Sequence, residues 1–225
     1  MIGYLTSILI QVLILAPPIL MALTVHEASH GLTAFWRGDA TAKYAGRLTL
    51  NPFKHLDLMG TLVFFVTAWF GAGIGWAKPV PVDHRRLKDP RRDMMWVSAA
   101  GPASNLIFAL VLALLLNALI QLGFFREAGW TIFLAHMMIL GVKVNVVLAF
   151  FNLLPLPPLD GSGIVAGLLS PLAAAKYRQI DRYGFMILMG LIFLPRWLPG
   201  FPDVIDIFVL TPANLLLSAL LSMVG

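Results

Sequence analysis

The chain has 225 residues, of which 59% are hydrophobic and only 12% charged, with a net charge of +5 and a mean hydropathy of +0.85. Soluble domains carry about 25% charged residues, so a single water-soluble core is excluded and an integral membrane protein is indicated. The lack of cysteine excludes disulfides, thiolate ligands and a cysteine nucleophile, and the absence of a basic stripe interleaved with aromatics argues against nucleic acid as a partner.

In chain order the sequence predicts an all-α polytopic membrane protein with five or six apolar segments. The first covers about 3–36 and has no charged side chain between Gly3 and Val25. As one helix it would be about 50 Å long, against a hydrocarbon core of about 30 Å, so Pro17 and Pro18 are expected to kink or divide it. It lacks a charged leader region and a small-residue cleavage site, and therefore reads as a retained segment, not a signal peptide. Further apolar segments follow at 58–75, 95–122, 129–154, 184–198 and 204–224, with a shorter one at 161–172. No internal repeat or appended soluble domain is visible, and residues 1–225 read as one membrane-embedded domain.

The basic residues give the topology. Arg37, Lys43, Arg47 and Lys54 precede segment 58–75, and Lys78, Arg85, Arg86, Lys88, Arg91 and Arg92 follow it. A full crossing would put strongly basic loops on both sides, against the positive-inside tendency. A re-entrant segment puts both loops inside, where Lys176, Arg178 and Arg182 join them. Arg126 and Arg196 then lie outside, Lys143 is embedded, and the N-terminus is outside.

The first segment ends in "TVHEASHGL" (24–32). Residues four apart share a helix face, so His26 and His30 can hold one metal ion, while Glu27 is placed to take a proton from water that the ion activates. The plain alternative is a wet helix end. His26 falls about 36 Å along a straight helix from Ile2, near the inner edge of a bilayer, where ionisable groups are costly and mark function. A zinc site of this kind takes a third protein ligand and leaves one position for water. Asp160 is the candidate. It closes "FNLLPLPPLDG" (151–161), in which Pro155, Pro157 and Pro158 forbid continued helix. Broken backbone at membrane depth is tolerated when it is buried or lines a wet cavity, although Pro and Asp-Gly also suit an ordinary turn.

These motifs, with "GRLTLNPFKHLDLMGTL" (46–62), "GWAKPVPV" (75–82) and "GPASN" (101–105), resemble the site-2 protease family of intramembrane metalloproteases, in particular its minimal members without a PDZ or CBS domain. The resemblance covers residues 20–165 or so. It implies one Zn2+ per chain held by His26, His30 and Asp160, with Glu27 as general base. It also points to Asn152 as a stabiliser of the tetrahedral oxyanion, against the simpler role of capping broken backbone. The catalytic core is then about 3–165, with additional C-terminal helices at about 184–224.

Other residues are read from their own chemistry. The small residues of "SAAGPASN" (98–105) predict close packing on the His26 helix, with Asn105 bonding across the contact. Asn145 reads as an interhelical hydrogen-bonding residue. His55 is a loop histidine, a candidate spare ligand or substrate contact. His136 and Lys143 have no role in the resemblance, and Lys143 is expected to snorkel or to pair with a carboxylate. "YAGRLTL" (44–50) and "WAKPVPV" (76–82) read as short strands of a membrane-associated β element that would hold an unwound substrate by strand addition. The function expected is zinc-dependent hydrolysis of a peptide bond in or near the transmembrane helix of a single-span substrate, in a prokaryotic cytoplasmic membrane with the site near the cytoplasmic side. The alternatives are a zinc-binding membrane protein without proteolysis and a metal-ion transporter.

Overall fold

The computed structural model describes residues 2–69, 75–125 and 129–224, with side chains from residue 14 onward apart from 65 and 67–69. Arg126 and the end of segment 58–75 therefore lie outside the described residues. The helices are α1 (Ile2–Trp36), α2 (Thr41–Tyr44), α3 (Leu58–Trp69), α4 (Pro90–Gln121), α5 (Gly129–Asn152), α6 (Asp160–Leu168), α7 (Pro171–Tyr177), α8 (Asp181–Trp197) and, after a π-helical turn at Asp206–Leu210, α9 (Thr211–Ser222). Among the described residues, two helices are long and apolar enough to cross a membrane, α4 and α5.

The helix ends follow from local chemistry. Asp89 caps α4 by accepting from Arg92 N, with Pro90 in the first turn, where a missing N–H costs nothing. Ser170 and Pro171 open α7 in the same way. Pro17 and Pro18 lie inside α1, which is assigned as helix without interruption from Ile2 to Trp36, so they do not divide it.

α4 is the hub, packing on α1, α5 and α6. Small residues set these approaches. Ala109 and Ala113 of α4 meet Val142 and Val146 of α5, and Ala213, Leu217 and Leu220 of α9 complete the cluster. Gly163 of α6 sits against Ser98, and Gly167 lies where a Cβ would be 2.9 Å from Met95 Cγ. This glycine pair, four residues apart, presses α6 onto α4 as small faces do between membrane helices. A second cluster of Leu154, Leu159, Leu188 and Val209 ties the proline-rich turn after α5 to α8 and to the π-helical turn.

The expected β element does not form. No strand occurs among the described residues; the pairing is a single antiparallel bridge, Leu56 to Ala77, with Lys78 N donating to His55 O at 2.8 Å. Residues 44–50 turn instead, with Gly46 at φ 65° closing the turn after α2. Residues 76–82 stay extended, but Pro79 and Pro81 remove two ladder donors, so no ladder can grow. The bridge has a topological meaning. It brings the two ends of the α3 segment side by side, so the chain enters and leaves this insertion at one place.

Asp39 ties the neighbouring loops together. Fully buried, it accepts from Thr41 N at 2.9 Å, from Thr41 Oγ1 and from Asp83 N at 2.7 Å. Burial raises its carboxyl pKa, but the hydrogen bonds from Thr41 and Asp83 outweigh this and hold it below the usual carboxylate value. The stability that a depressed folded-state pKa contributes is present above the ordinary carboxylate pKa and is lost as the pH falls through the depressed folded-state value. Asp39→Ala is expected to cost about 1–3 kcal/mol by leaving buried donors unpaired. Thermal midpoints in detergent check this, and the drop on acidification below about pH 4 should be smaller in Asp39→Asn than in the wild type.

Candidate metal centre

The last turns of α1 present His26 and His30 to α4, and the first residue of α6 presents Asp160 to both. His26 Nε2 lies 3.0 Å and His30 Nε2 3.4 Å from Asp160 Oδ2, with the imidazole planes at 88°. His26, His30 and Asp160 form a group whose ligand atoms all lie within 4.8 Å of one another.

The tautomers are fixed from behind. His30 Nδ1 is 2.7 Å from the Val97 carbonyl, an atom that only accepts, so Nδ1 carries the proton. His26 Nδ1 is 2.6 Å from Asn105 Oδ1. The orientation of that amide is set by its other end, since Asn105 Nδ2 donates to Ala22 O at 3.0 Å and to Asn145 Oδ1 at 2.7 Å. Asn145 is oriented in turn by donating to Gly141 O at 2.8 Å. Asn105 and Asn145 have no exposed surface, and their network spans α1, α4 and α5.

In the neutral imidazoles both Nε2 atoms then offer lone pairs towards Asp160 Oδ2, which they approach at 3.0 and 3.4 Å. Three acceptors converging on one point repel unless a cation, a proton or a metal ion, lies between them. Tetrahedral zinc with bonds of about 2.0–2.1 Å places its ligand atoms about 3.3 Å apart, the spacing that the two histidines keep from Asp160. The donor set fits zinc on its chemistry, and three protein ligands leave a position for water.

The surrounding backbone makes room for the rings. A Cβ on Gly101 would lie 2.6 Å from His26 Cε1 and from His30 Nε2, so only glycine allows α4 to pass over them. A Cβ on Gly161 would overlap the carbonyls of Leu153 and Leu154, which explains the glycine after Asp160. A cavity of about 220 Å3 opens beside Asp160, with His84, Ser98, Ser162, Tyr177, Arg178 and Asp181 among its lining residues.

Glu27 is bonded to the extended segment after α3. Its Oε2 accepts from Val80 N at 2.8 Å, and the extended segment that supplies this amide is held by Arg47, whose Nη2 donates to Lys78 O at 2.6 Å. The Nδ2 of Asn152 donates to Leu148 O in its own helix at 3.0 Å. His55 is buried, with Nε2 at 2.9 Å from the Thr49 carbonyl, and lies outside the group. His136 bonds locally to Ile132 O at 2.9 Å. The reading of Asn105 and Asn145 as bonds between helices is borne out, with the addition that Asn105 orients a histidine. Gly101 as the surface over the rings and the carbonyl of Val97 were not foreseen. The first was signalled by "GPASN"; a backbone carbonyl leaves no mark in a sequence.

The chain belongs to peptidase family M50, whose pattern it matches over residues 14–194, and is a zinc metalloendopeptidase. It is 43% identical over 177 residues to "Putative zinc metalloprotease YwhC" of Bacillus subtilis, covering 79% of this chain and 78% of that one. It is 33% identical over 181 residues to "Putative zinc metalloprotease Rip2" of Mycolicibacterium smegmatis, covering 79% and 67%. The Mycobacterium tuberculosis H37Rv protein of that name is 31% identical over 182 residues, covering 78% and 65%. No solved structure matches the chain.

Substitutions behind the ligands should act on metal affinity. Asn105→Leu, which removes the acceptor for His26 Nδ1, is expected to weaken zinc binding about 10–100-fold. Gly101→Ala should weaken it further by displacing both rings. Competition with a chromogenic chelator measures both, and wild-type affinity in either variant would contradict the assignment.

Proposed function

We propose that the protein is an intramembrane endopeptidase which cleaves a peptide bond in or next to the transmembrane helix of a single-span substrate, with His26, His30 and Asp160 as the zinc ligands and Glu27 as general base. The observation that carries this reading is the convergence of three lone-pair donors, two of them on the helix that also bears Glu27. Zinc held there supplies a Lewis acid and brings the pKa of water towards about 7.

The chain's own residues account for the remaining requirements. The Val80 amide bonds one oxygen of the Glu27 carboxylate and fixes its direction, leaving the other oxygen to accept the proton of the attacking water. The same carboxyl then returns that proton to the leaving amide nitrogen. Asn152 is the proposed donor to the tetrahedral oxyanion. Only one bond of its Nδ2 is used within α5, and an amide nitrogen carries two N–H groups.

A substrate helix must unwind before its carbonyl can be attacked, because its peptide groups are otherwise paired within the helix. The extended segment 76–82 beside Glu27 is suited to hold the unwound part. The proposed topology is multi-pass, with the N-terminus outside, the α3 insertion re-entrant and the zinc near the cytoplasmic side of a prokaryotic membrane. It gathers the loops from Arg37 to Arg92 and the Lys176–Arg182 stretch on the positive side.

Glu27→Gln is expected to keep its zinc and to lose about 10²–10⁴-fold in cleavage of a fluorescent single-span peptide. Metal content by mass spectrometry together with the cleavage rate checks this. Undiminished cleavage would remove Glu27 from the mechanism, and zinc without cleavage in the wild type would favour a non-proteolytic zinc protein.

A further inference from the structure

α5 has two working faces. Val142, Asn145, Val146 and Ala149 are buried against its neighbours, whereas Leu140, Lys143, Val144, Val147, Leu148 and Phe151 line a cavity of about 610 Å3. The opposite wall is α1, where Leu20 and Thr24 lie on the helical face that continues, at spacings of three and four residues, to Glu27. Trp76 and Ala77 form part of a third wall, and their segment runs on to Val80, which bonds Glu27. Two walls of the cavity thus lead to the proposed catalytic base.

The lining is apolar except at a few points. Thr24 Oγ1 and His55 Nδ1 are buried without a hydrogen-bond partner, in residues 1% and 2% exposed. Lys143 is the lysine of the lining, and no aspartate or glutamate accompanies it. None of the ion pairs formed among the described residues includes it. It precedes Asn152 by nine residues, about 14 Å from the end of α5, and stands about 3 Å along the axis from Asn145, which is linked to His26 through Asn105. An ammonium group at that depth is expensive without an anion, and no ion pair among the described residues supplies one.

We propose that this cavity receives the unwound segment of the substrate's transmembrane helix, and that Lys143 selects substrates carrying an aspartate or glutamate there. The inference rests on the endopeptidase reading above. A peptide is favoured over a lipid because two walls of the cavity run on to Glu27 and to Val80, so a chain lying in it continues to the proposed catalytic base. The volume falls within the range of about 300–1,000 Å3 typical of sites that enclose a ligand. The carboxylate would lie near the level of the zinc, so Lys143 also fixes which bond is presented.

The test uses the zinc-loaded full chain in phosphatidylcholine nanodiscs. The probes are fluorescent single-span peptides that differ only in Asp, Asn or Lys at one position, stepped through the cytoplasmic half of the helix. Affinity and kcat/KM are both measured, with zinc content as the check on folding. At one position the wild type should favour Asp over Asn by at least about tenfold, a preference that Lys143→Met abolishes and Lys143→Glu turns towards the Lys peptide. An Asp preference that persists in Lys143→Met, or no position of Asp preference in the wild type, would overturn the proposal. Binding preference dependent on Lys143 without any cleavage would instead leave this site standing and sink the endopeptidase reading. If the peptides show no charge preference and Lys143→Met sheds bound phosphatidylglycerol, the cavity holds an anionic lipid and the proposal fails.

Discussion

The structure depends on one electrostatic constraint: three lone pairs, two imidazole and one carboxylate, are held within bonding reach of a common point inside an apolar bundle. In water such groups would hydrate separately. Here Gly101 closes one side, the histidine Nδ1 atoms are committed to Val97 and Asn105, and both Nε2 atoms approach Asp160 Oδ2. Much of the local packing serves to keep that unfavourable arrangement from relaxing. The glycines of α6 press Asp160 onto α4, and the proline-rich turn lets the chain leave α5 and start α6 within a few residues.

The sequence was most legible where function requires side chains. His26, His30 and Asp160 could be nominated because their chemistry is out of place in an apolar chain, and Asn105 and Asn145 because a membrane helix rarely buries an amide without a partner. The helix positions were legible for a different reason, as long apolar runs admit little else. What stayed hidden was carried by backbone. The Val97 carbonyl and the Val80 amide are not encoded by residue type, and Gly101 looked like a general packing residue when it also clears space for two rings. The strands failed for a physical reason visible in hindsight, since alternation and β-branching cannot make a ladder when two prolines within four residues of Lys78 withhold their donors.

The α3 insertion shows how little pairing is needed to define a topology. One bridge between Leu56 and Ala77 places its ends together. Arg47 then fixes the outgoing extended segment through the Lys78 carbonyl, and Asp39 joins the loops beyond it. These are single polar contacts, in contrast to the alanine and valine packing of α4 with α5.

The amide network that passes from Gly141 through Asn145 and Asn105 to His26 fastens three helices at one level. Tilting any of them would strand a buried amide and turn the imidazole it orients. The frame around the three converging groups is therefore stiff, and any compliance of this fold must lie in parts outside that network.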